Sequence, residues 1–250
     1  MKSESTTLLE ICCGCLEDAL VADETGADRI ELNSALYLGG LTPSMATLQA
    51  VKEGCSLPVV AMVRHRGGGF CYGETEYKLM LKEAELLLQN GADGLAFGFL
   101  QEDRNLDVER TKAFVELIHS QGKEAVFHRA IDCVPDMEQA LEKLIGCGVD
   151  RVLTSGGKAT AWEGRELLAK LQKQYGEEIQ ILPGSGLRKE NAVEFVRQTG
   201  VHQIHSSCRG WKRDNTGVTE SVTFAYCPGE HASDYEVVSR EEVEALRRAL

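Results

Sequence analysis

A recurring phrase organises this chain of 250 residues. In each copy a helical stretch ends at a glycine, a small or β-branched residue follows, and a short apolar run then begins. The copies lie at residues 25–32 (TGADRIEL), 90–98 (NGADGLAFG), 147–156 (CGVDRVLTSG) and 199–207 (TGVHQIHSS). Glycine in the left-handed conformation commonly closes a helix. The phrase therefore marks four places where a helix gives way to a strand.

The spacing of the phrase indicates that further strands lie between its copies. The four glycines are 65, 57 and 52 residues apart, whereas one strand-helix unit takes roughly 30 residues. Apolar runs of strand length begin the series and fill the gaps, at residues 8–12, 57–64, 124–129 and 178–184. Helical periodicity separates these runs, as at residues 77–88 and 137–145. The chain thus contains eight strand-helix units.

Eight units in regular alternation predict an α/β fold of the TIM-type (β/α)8 barrel class, formed as a single domain by residues 1–250. The alternative is a doubly wound open sheet, but the G-x-G-x-x-G turn expected after its first strand is absent from the sequence. Residues 212–239 are polar, contain Gly and Pro, and follow neither periodicity. We expect this segment to be a surface excursion before a C-terminal helix.

Composition excludes several classes of function. A net charge of -12 leaves no basic stripe for a phosphate backbone, so we expect no nucleic-acid partner. The longest apolar stretch, residues 57–63, is too short to span a membrane, and the start MKSESTT lacks the apolar core of a signal peptide. Nine cysteines, an odd number, favour reduced thiols. We therefore predict a cytoplasmic protein without a membrane partner.

Polar side chains occupy the carboxyl ends of the predicted strands, where barrels of this class place their active sites. Glu10 and Cys12 share one side of the first strand, and Glu31 and Asn33 share one side of the second. A carboxylate that faced the helices would lose its hydration at a cost of several kcal/mol. These acids are therefore expected to point into the barrel.

A cluster of acids and bases at the barrel mouth follows from this placement. The residues predicted to converge there as catalytic groups are Glu10, Glu31, Arg64, Arg66, His128 and Asp132. A structural ion-pair network is the alternative interpretation of the same residues. Three successive glycines after Arg66 indicate a loop shaped around a ligand or able to close over one, with a flexible connector as the alternative.

Two glycine-serine turns follow the seventh and eighth strands, where such barrels commonly hold phosphate on backbone N–H groups. The residues predicted to bind an anion there are Gly184, Ser185, Gly186, Ser206 and Ser207. Ordinary turn chemistry is the alternative explanation.

Cys12 and Cys15 form a C-x-x-C pair between the first strand and its helix. A thiolate at a helix start can bind a soft metal such as Cu(I) or undergo redox exchange. A four-thiolate zinc site would need a second pair at similar spacing, which the sequence lacks. The predicted metal ligands are therefore Cys12 and Cys15.

Eight phrases taken together resemble the CutC family of copper homeostasis proteins over about residues 8–211. They are LLEICC, GADRIEL, GGLTPS, RHRGGGFCY, GADGLAFGFL, FHRAID, RVLTSG and HSSCRG. The resemblance implies a TIM-like barrel, a cytoplasmic homo-oligomer and Cu(I) binding, with Cys12 as one copper ligand. Asn33 stands where the family has its second proposed cysteine, so a copper site here requires Cys13, Cys15 or Cys208 instead.

Two functions of different classes remain open at this point. The first is a copper homeostasis protein that binds Cu(I). The second is a TIM-barrel enzyme that acts on a small anionic metabolite, phosphorylated ones included, at the carboxyl-terminal face of the barrel. A metal carrier that uses thiolates alone has no need of two inward acids and two arginines.

Overall fold

Eight short parallel strands form the centre of the computed structural model, which describes residues 7–250. The strands are β1 (Leu8–Cys13), β2 (Arg29–Leu32), β3 (Val59–Met62), β4 (Gly94–Phe97), β5 (Glu124–Phe127), β6 (Arg151–Thr154), β7 (Gln180–Pro183) and β8 (Gln203–Ser206). Their order is β7-β6-β5-β4-β3-β2-β1-β8, so β1 pairs with both β2 and β8. The sheet curls into a nearly closed barrel, and the predicted fold class is confirmed.

Helices alternate with the strands as the repeated phrase predicts. They are α1 (Leu16–Glu24), α2 (Met45–Gly54), α3 (Glu74–Gln89), α4 (Val108–Ser120), α5 (Met137–Cys147), α6 (Arg165–Tyr175), α7 (Ala192–Thr199) and α8 (Arg240–Ala249). Gly148 and Gly200, which close α5 and α7, have φ angles of 83° and 70°. These left-handed values are the ones that glycine adopts without steric cost. Among the described helices, none combines the length and apolarity needed to cross a membrane.

β7 and β8 stand at the two ends of the sheet order, and a side-chain hydrogen bond connects them. Gln203 Nε2 donates to Gln180 Oε1 at 3.2 Å across this junction. Gly184, directly after β7, lies against His205 of β8, where a Cβ atom would stand 3.2 Å from the imidazole ring. The absence of a side chain at this position therefore lets the two strand ends approach each other.

Strand parity, the alternation of side chains between the two faces of a strand, places apolar residues of β1 outside the barrel and its polar residues inside. Leu9 and Ile11 are fully buried in the main core, which packs the outer face of the sheet against the helices. Glu10 and Cys12 lie on the opposite, inner side of β1, as predicted. A second, smaller apolar cluster lies inside the barrel and consists of Val60, Met62, Ala96 and Val126. The barrel interior is thus apolar near β3, β4 and β5 and polar near β1, β2 and β8.

Two strands that sequence periodicity did not reveal lie at the ends of the predicted excursion, and the first begins three residues before residue 212. β9 (Arg209–Arg213) and β10 (Asp234–Val238) pair as an antiparallel ribbon between β8 and α8. Their sequences, RGWKR and DYEVV, are short and rich in charge, so neither shows the alternation of a half-buried strand. Val238 N donates to Asp18 Oδ1 at 2.8 Å, which fixes the base of the ribbon against α1.

We expect two Gly→Ala substitutions to have opposite effects on stability. A Cβ atom at Gly94 would lie 2.8 Å from the backbone oxygen of Glu124 in the neighbouring strand, so Gly94→Ala should lower the free energy of unfolding by about 1–3 kcal/mol. Gly146, inside α5, has open space around the same position. Gly146→Ala should therefore raise stability by about 0.5–1 kcal/mol. Urea denaturation measures both effects, and a Gly94→Ala variant as stable as wild type would contradict the strand packing described here.

Candidate functional site

A cavity of about 870 Å³ opens at the carboxyl-terminal face of the barrel. Its lining includes residues at or just beyond strand ends, such as Cys12, Asn33 and Ser207. Trp211 and Glu236 from the β9–β10 ribbon contribute to one side. The excursion therefore forms part of the cavity wall.

Glu10 forms the base of an ionic cluster inside the barrel. The carboxylate is only 2% exposed and accepts hydrogen bonds from Arg29 Nε and from His205 Nδ1, the latter at 2.8 Å. Burial alone would raise the pKa of Glu10, but the charges of Arg29 and His205 outweigh it and hold the pKa at about 2. Glu10 is thus ionised, and His205 must be the proton donor in the bond between them.

Glu31, Cys12 and His205 form the upper part of this cluster, at the bottom of the cavity. One ligand atom from each lies within 4.8 Å of the other two. The Cys12 thiol donates to Glu31 Oε2 at 3.7 Å, and His205 Nε2 is 3.9 Å from the same oxygen. Asn33 Nδ2 donates to Glu31 Oε2 at 2.9 Å and to Cys12 Sγ at 3.5 Å. The amide therefore orients both groups.

Burial and mutual charge shift the pKa values of these groups. Burial raises the pKa of Glu31, with a smaller contribution from Glu10 in the same direction. Burial and the Glu31 carboxylate raise the pKa of the Cys12 thiol well above its usual range. Burial lowers the pKa of His205, but its bond to Glu10 and the charge of Glu31 have the larger combined effect and raise it. A bound cation would oppose the effect of the carboxylates on the thiol.

Neither predicted arginine pairs with Glu10 or Glu31 in the described structure, although Arg64 does reach the cavity that Glu31 lines, as predicted. The predicted convergence is therefore wrong only for Arg66. Arg64 lines the cavity, but its guanidinium donates to the backbone oxygens of Leu38, Gly40 and Gly68 at 2.8–3.0 Å. Arg66 pairs with Glu76 at 2.5 Å and lies outside the cavity lining. β3 ends at Met62, so residues 64–66 belong to a loop in which strand parity no longer applies.

His128 and Asp132 follow β5 and line the cavity. His128 Nδ1 accepts from Ala130 N at 3.2 Å. Burial and the charge of Arg64 lower the pKa of His128 to about 3. Asp132 accepts from Ser155 N and Gly157 N at 3.0 Å and pairs with Arg129 at 2.8 Å. Its carboxylate therefore holds the loop after β6 in place.

The predicted anion-binding turns lie at the cavity, but some of their polar groups already have partners. Four of the five residues line it, namely Ser185, Gly186, Ser206 and Ser207. Gly184 N donates to Thr154 O at 3.0 Å, so this amide is not free for a ligand. The hydroxyls of Ser185 and Ser206 donate to Ala159 O and Leu187 O, each at 2.8 Å. An anion at these turns would rely on the remaining backbone amides.

The structure separates the cysteines that the sequence places together. Cys15 is the N-cap residue of α1 and does not belong to the group formed by Cys12, Glu31 and His205. Cys13 is fully buried on the opposite side of β1, as parity requires. Cys208 lines the cavity, with its thiol 3.5 Å from Ser206 Oγ. Cys12 is therefore the one cysteine in the described cluster.

Three members of the interior polar network, His205, Arg29 and Arg151, were not among the predicted site residues. Arg29 shares its side of β2 with Glu31, and His205 shares its side of β8 with Gln203. The parity rule that assigned Glu10 and Glu31 would have identified both if it had been applied to every residue of these strands. Arg151 donates to Gln180 Oε1 and Glu124 Oε2, partners that only the assembled barrel brings together.

We expect Arg29→Met to lower the free energy of unfolding by about 3–5 kcal/mol, because it leaves the buried Glu10 carboxylate without its cation. The matched control is Arg197→Met, which breaks an exposed pair with Glu194 and should leave stability close to that of wild type. Chemical denaturation of both variants provides the measurement. Equal effects at the two positions would show that the buried pair is not required for the fold.

Comparison with known proteins identifies relatives along nearly the whole chain. A protein of Treponema denticola named as a family protein CutC is 45% identical over 243 residues, which cover 97% of this chain and 98% of that protein. The Homo sapiens copper homeostasis protein cutC homolog is 41% identical over 223 residues, 87% of this chain and 81% of that one.

Solved structures agree with these sequence matches. The crystal structure of a Streptococcus agalactiae protein described as a CutC copper homeostasis protein superposes with a TM-score of 0.75 at 28% identity, covering 80% of this chain and 98% of that one. Phosphoribosyl anthranilate isomerase of Thermococcus kodakaraensis, at 16% identity, shares only the fold, with a TM-score of 0.57 over 97% of this chain and 98% of that one. The sequence profile of the CutC family matches residues 7–210, and the chain belongs to the CutC family of copper homeostasis proteins.

Proposed function

We propose that this protein binds one copper ion, as Cu(I), at Cys12 and His205, with Glu31 beside them, as its part in copper homeostasis. The family and the names of its relatives supply the choice of metal. The three side chains offer sulfur, nitrogen and oxygen within 4.8 Å of one another. Thiolate and imidazole are both ligands that copper accepts, and thiolate is the one that favours Cu(I).

The observation that carries the proposal is the way His205 is held. Imidazoles that bind metals almost always donate their other ring N–H to a carboxylate, a carbonyl group or a water molecule. Here the ionised Glu10 accepts from Nδ1 at 2.8 Å, and Arg29 holds Glu10 in turn. Nε2 is consequently directed towards Glu31 and Cys12. This outer shell fixes the ring in the orientation that metal binding requires.

The proposed ligand set differs from the C-x-x-C pair, because His205 takes the place of Cys15. Copper would displace the proton from the Cys12 thiol and any proton on His205 Nε2, since metal-bound cysteine is a thiolate and metal-bound imidazole is neutral. Asn33 keeps Cys12 and Glu31 in position through its amide and need not bind the ion itself. The substitution of asparagine for the family's second proposed cysteine is therefore compatible with a site that uses an imidazole.

We also infer a cytoplasmic location and a homo-oligomer, both carried over from the family resemblance. The nine cysteines are all free, which fits a reducing compartment.

Copper binding is tested by competition with a chromophoric Cu(I) chelator, under anaerobic and reducing conditions. We expect one Cu(I) per chain, with affinity reduced at least tenfold in Cys12→Ser and in His205→Gln. Glu10→Gln should weaken binding by about 10–100-fold, because it removes only the partner of the imidazole. Cys15→Ser is the matched control and should bind as wild type does. The proposal fails if Cys12→Ser competes as well as the parent protein.

A barrel enzyme that acts on a small anionic metabolite is the second candidate function. The observation that favours it is the cavity of about 870 Å³, a volume typical of sites for small molecules. Glu31 and His205 could move a proton to or from a ligand held there, since both are buried at its base.

The enzyme hypothesis is tested with metal-free protein incubated in a metabolite extract and followed by mass spectrometry. We expect wild type to consume at least one anionic metabolite and Glu31→Gln to consume it at least 100-fold more slowly, as for loss of a general acid or base. Circular dichroism checks that the variant remains folded. Identical metabolite profiles for wild type, Glu31→Gln and a buffer control would exclude this function under the conditions used.

A further inference from the structure

We propose that the same cavity binds a small organic carboxylate, with the anionic group held between His128 Nε2 and the charge of Arg64. This site uses none of the proposed copper ligands and requires neither the metal nor a catalytic step. It rests on a buried donor and a buried cation that have, respectively, no partner and no counter-charge within residues 7–250.

The His128 ring is fixed so that one nitrogen remains available. Its Nδ1 edge accepts from Ala130 N at 3.2 Å and packs against Gly98, where a Cβ atom would lie 2.6 Å from Nδ1. An unprotonated Nδ1 places the proton of the neutral ring on Nε2. His128 is only 3% exposed and lines the cavity, and Nε2 has no hydrogen-bond partner among the described residues. An unpaired buried donor costs about 1–3 kcal/mol.

The pKa of His128, lowered to about 3 by burial and by Arg64, keeps the ring neutral at physiological pH. The ring therefore acts as a hydrogen-bond donor of fixed direction and does not add a second positive charge to this side of the cavity.

Arg64 carries the positive charge of this part of the cavity. Its side chain is buried, with 6% of the residue exposed, and its terminal N–H groups donate to three backbone oxygens. Within residues 7–250, no carboxylate lies close enough to form an ion pair with this guanidinium. Buried charges are normally paired, because desolvation otherwise costs several kcal/mol. An anionic ligand would supply the missing charge.

Phe70 connects the two groups and reduces their contact with water. Its ring lies 5.2 Å from the Arg64 guanidinium carbon and 5.0 Å from the His128 ring, and it lines the cavity. Apolar surface next to a charge lowers the local dielectric constant and strengthens attraction to an anion. Phe70 directly follows the three glycines, so the predicted ligand-shaped loop is the segment that carries it.

The charge and donor count favour a carboxylate over a phosphate group. The terminal N–H groups of Arg64 are engaged by backbone oxygens, so this side offers one positive charge and, among the described residues, two unpaired N–H donors, Arg64 Nε and His128 Nε2. A carboxylate carries a single negative charge, whereas a phosphate monoester carries between one and two at neutral pH and presents three acceptor oxygens. The single charge of Arg64 is therefore balanced by a carboxylate.

The test uses metal-free protein labelled with ¹⁵N-histidine and titrated with acetate, pyruvate and malonate at constant pH and ionic strength. We expect at least one carboxylate to shift the His128 Nε2 resonance in a saturable way, while acetamide and malonamide do not. Inorganic phosphate forms a separate arm of the titration. Because no copper is present, failure of this proposal and failure of the copper proposal are distinguishable.

His128→Asn is the informative variant, since an asparagine oxygen can still accept from Ala130 N while the Nε2 donor is lost. We expect ligand-observed NMR to show carboxylate binding at least tenfold weaker in this variant. His119→Asn, on the exposed side of α4, should bind as wild type does. The proposal is overturned if no carboxylate shifts Nε2 at 50 mM, if phosphate alone does so, or if His128→Asn binds equally well.

Discussion

The pairing of the buried Glu10 carboxylate is the interaction on which the rest of the site depends. An ionised acid inside a barrel loses its hydration, and only opposite charge and hydrogen bonds can compensate for that loss. Arg29 supplies the charge, and His205 supplies a hydrogen bond from the neighbouring strand. Because Glu10 fixes one ring nitrogen of His205, the other nitrogen is directed towards Cys12 and Glu31. The contacts that compensate for the lost hydration of Glu10 thus also position His205, a proposed copper ligand.

The barrel interior is divided by polarity, and this division gives the cavity two chemically different sides. Apolar residues inside β3, β4 and β5, among them Val60 and Val126, form a small buried cluster. The acids and the imidazole of the cluster lie on β1, β2 and β8. Elsewhere in the cavity lining, Arg64 and His128 offer positive charge and a donor that is unpaired among the described residues. A metal ion and a carboxylate would therefore use different side chains of one cavity.

The ribbon between β8 and α8 extends the barrel into a deeper cavity. It is fixed at its base by Asp18 and Val238, and Trp211 and Glu236 face the cavity from it. Glu236 pairs with Arg209 across the two strands at 2.9 Å, although its charge still contributes to the raised pKa of the Cys12 thiol. The ribbon thus contributes shape and one paired acid near the Cys12 thiol.

The sequence alone was sufficient to predict the barrel architecture and the inward-facing residues of β1 and β2, but not their partners. Local patterns determined the eight units, because a helix-closing glycine and a change of period depend on neighbouring residues only. Parity within a strand determined that Glu10, Cys12 and Glu31 face inward, since the alternation of side chains is a local property of β structure. The partners of these residues were decided by tertiary structure. Arg29 and His205 reach Glu10 because β2 and β8 flank β1 in the closed barrel. Arg64 and Cys15 lie beyond the ends of their strands, where side-chain alternation no longer applies. The loop after β3 directs Arg64 to backbone oxygens, and Cys15 caps α1.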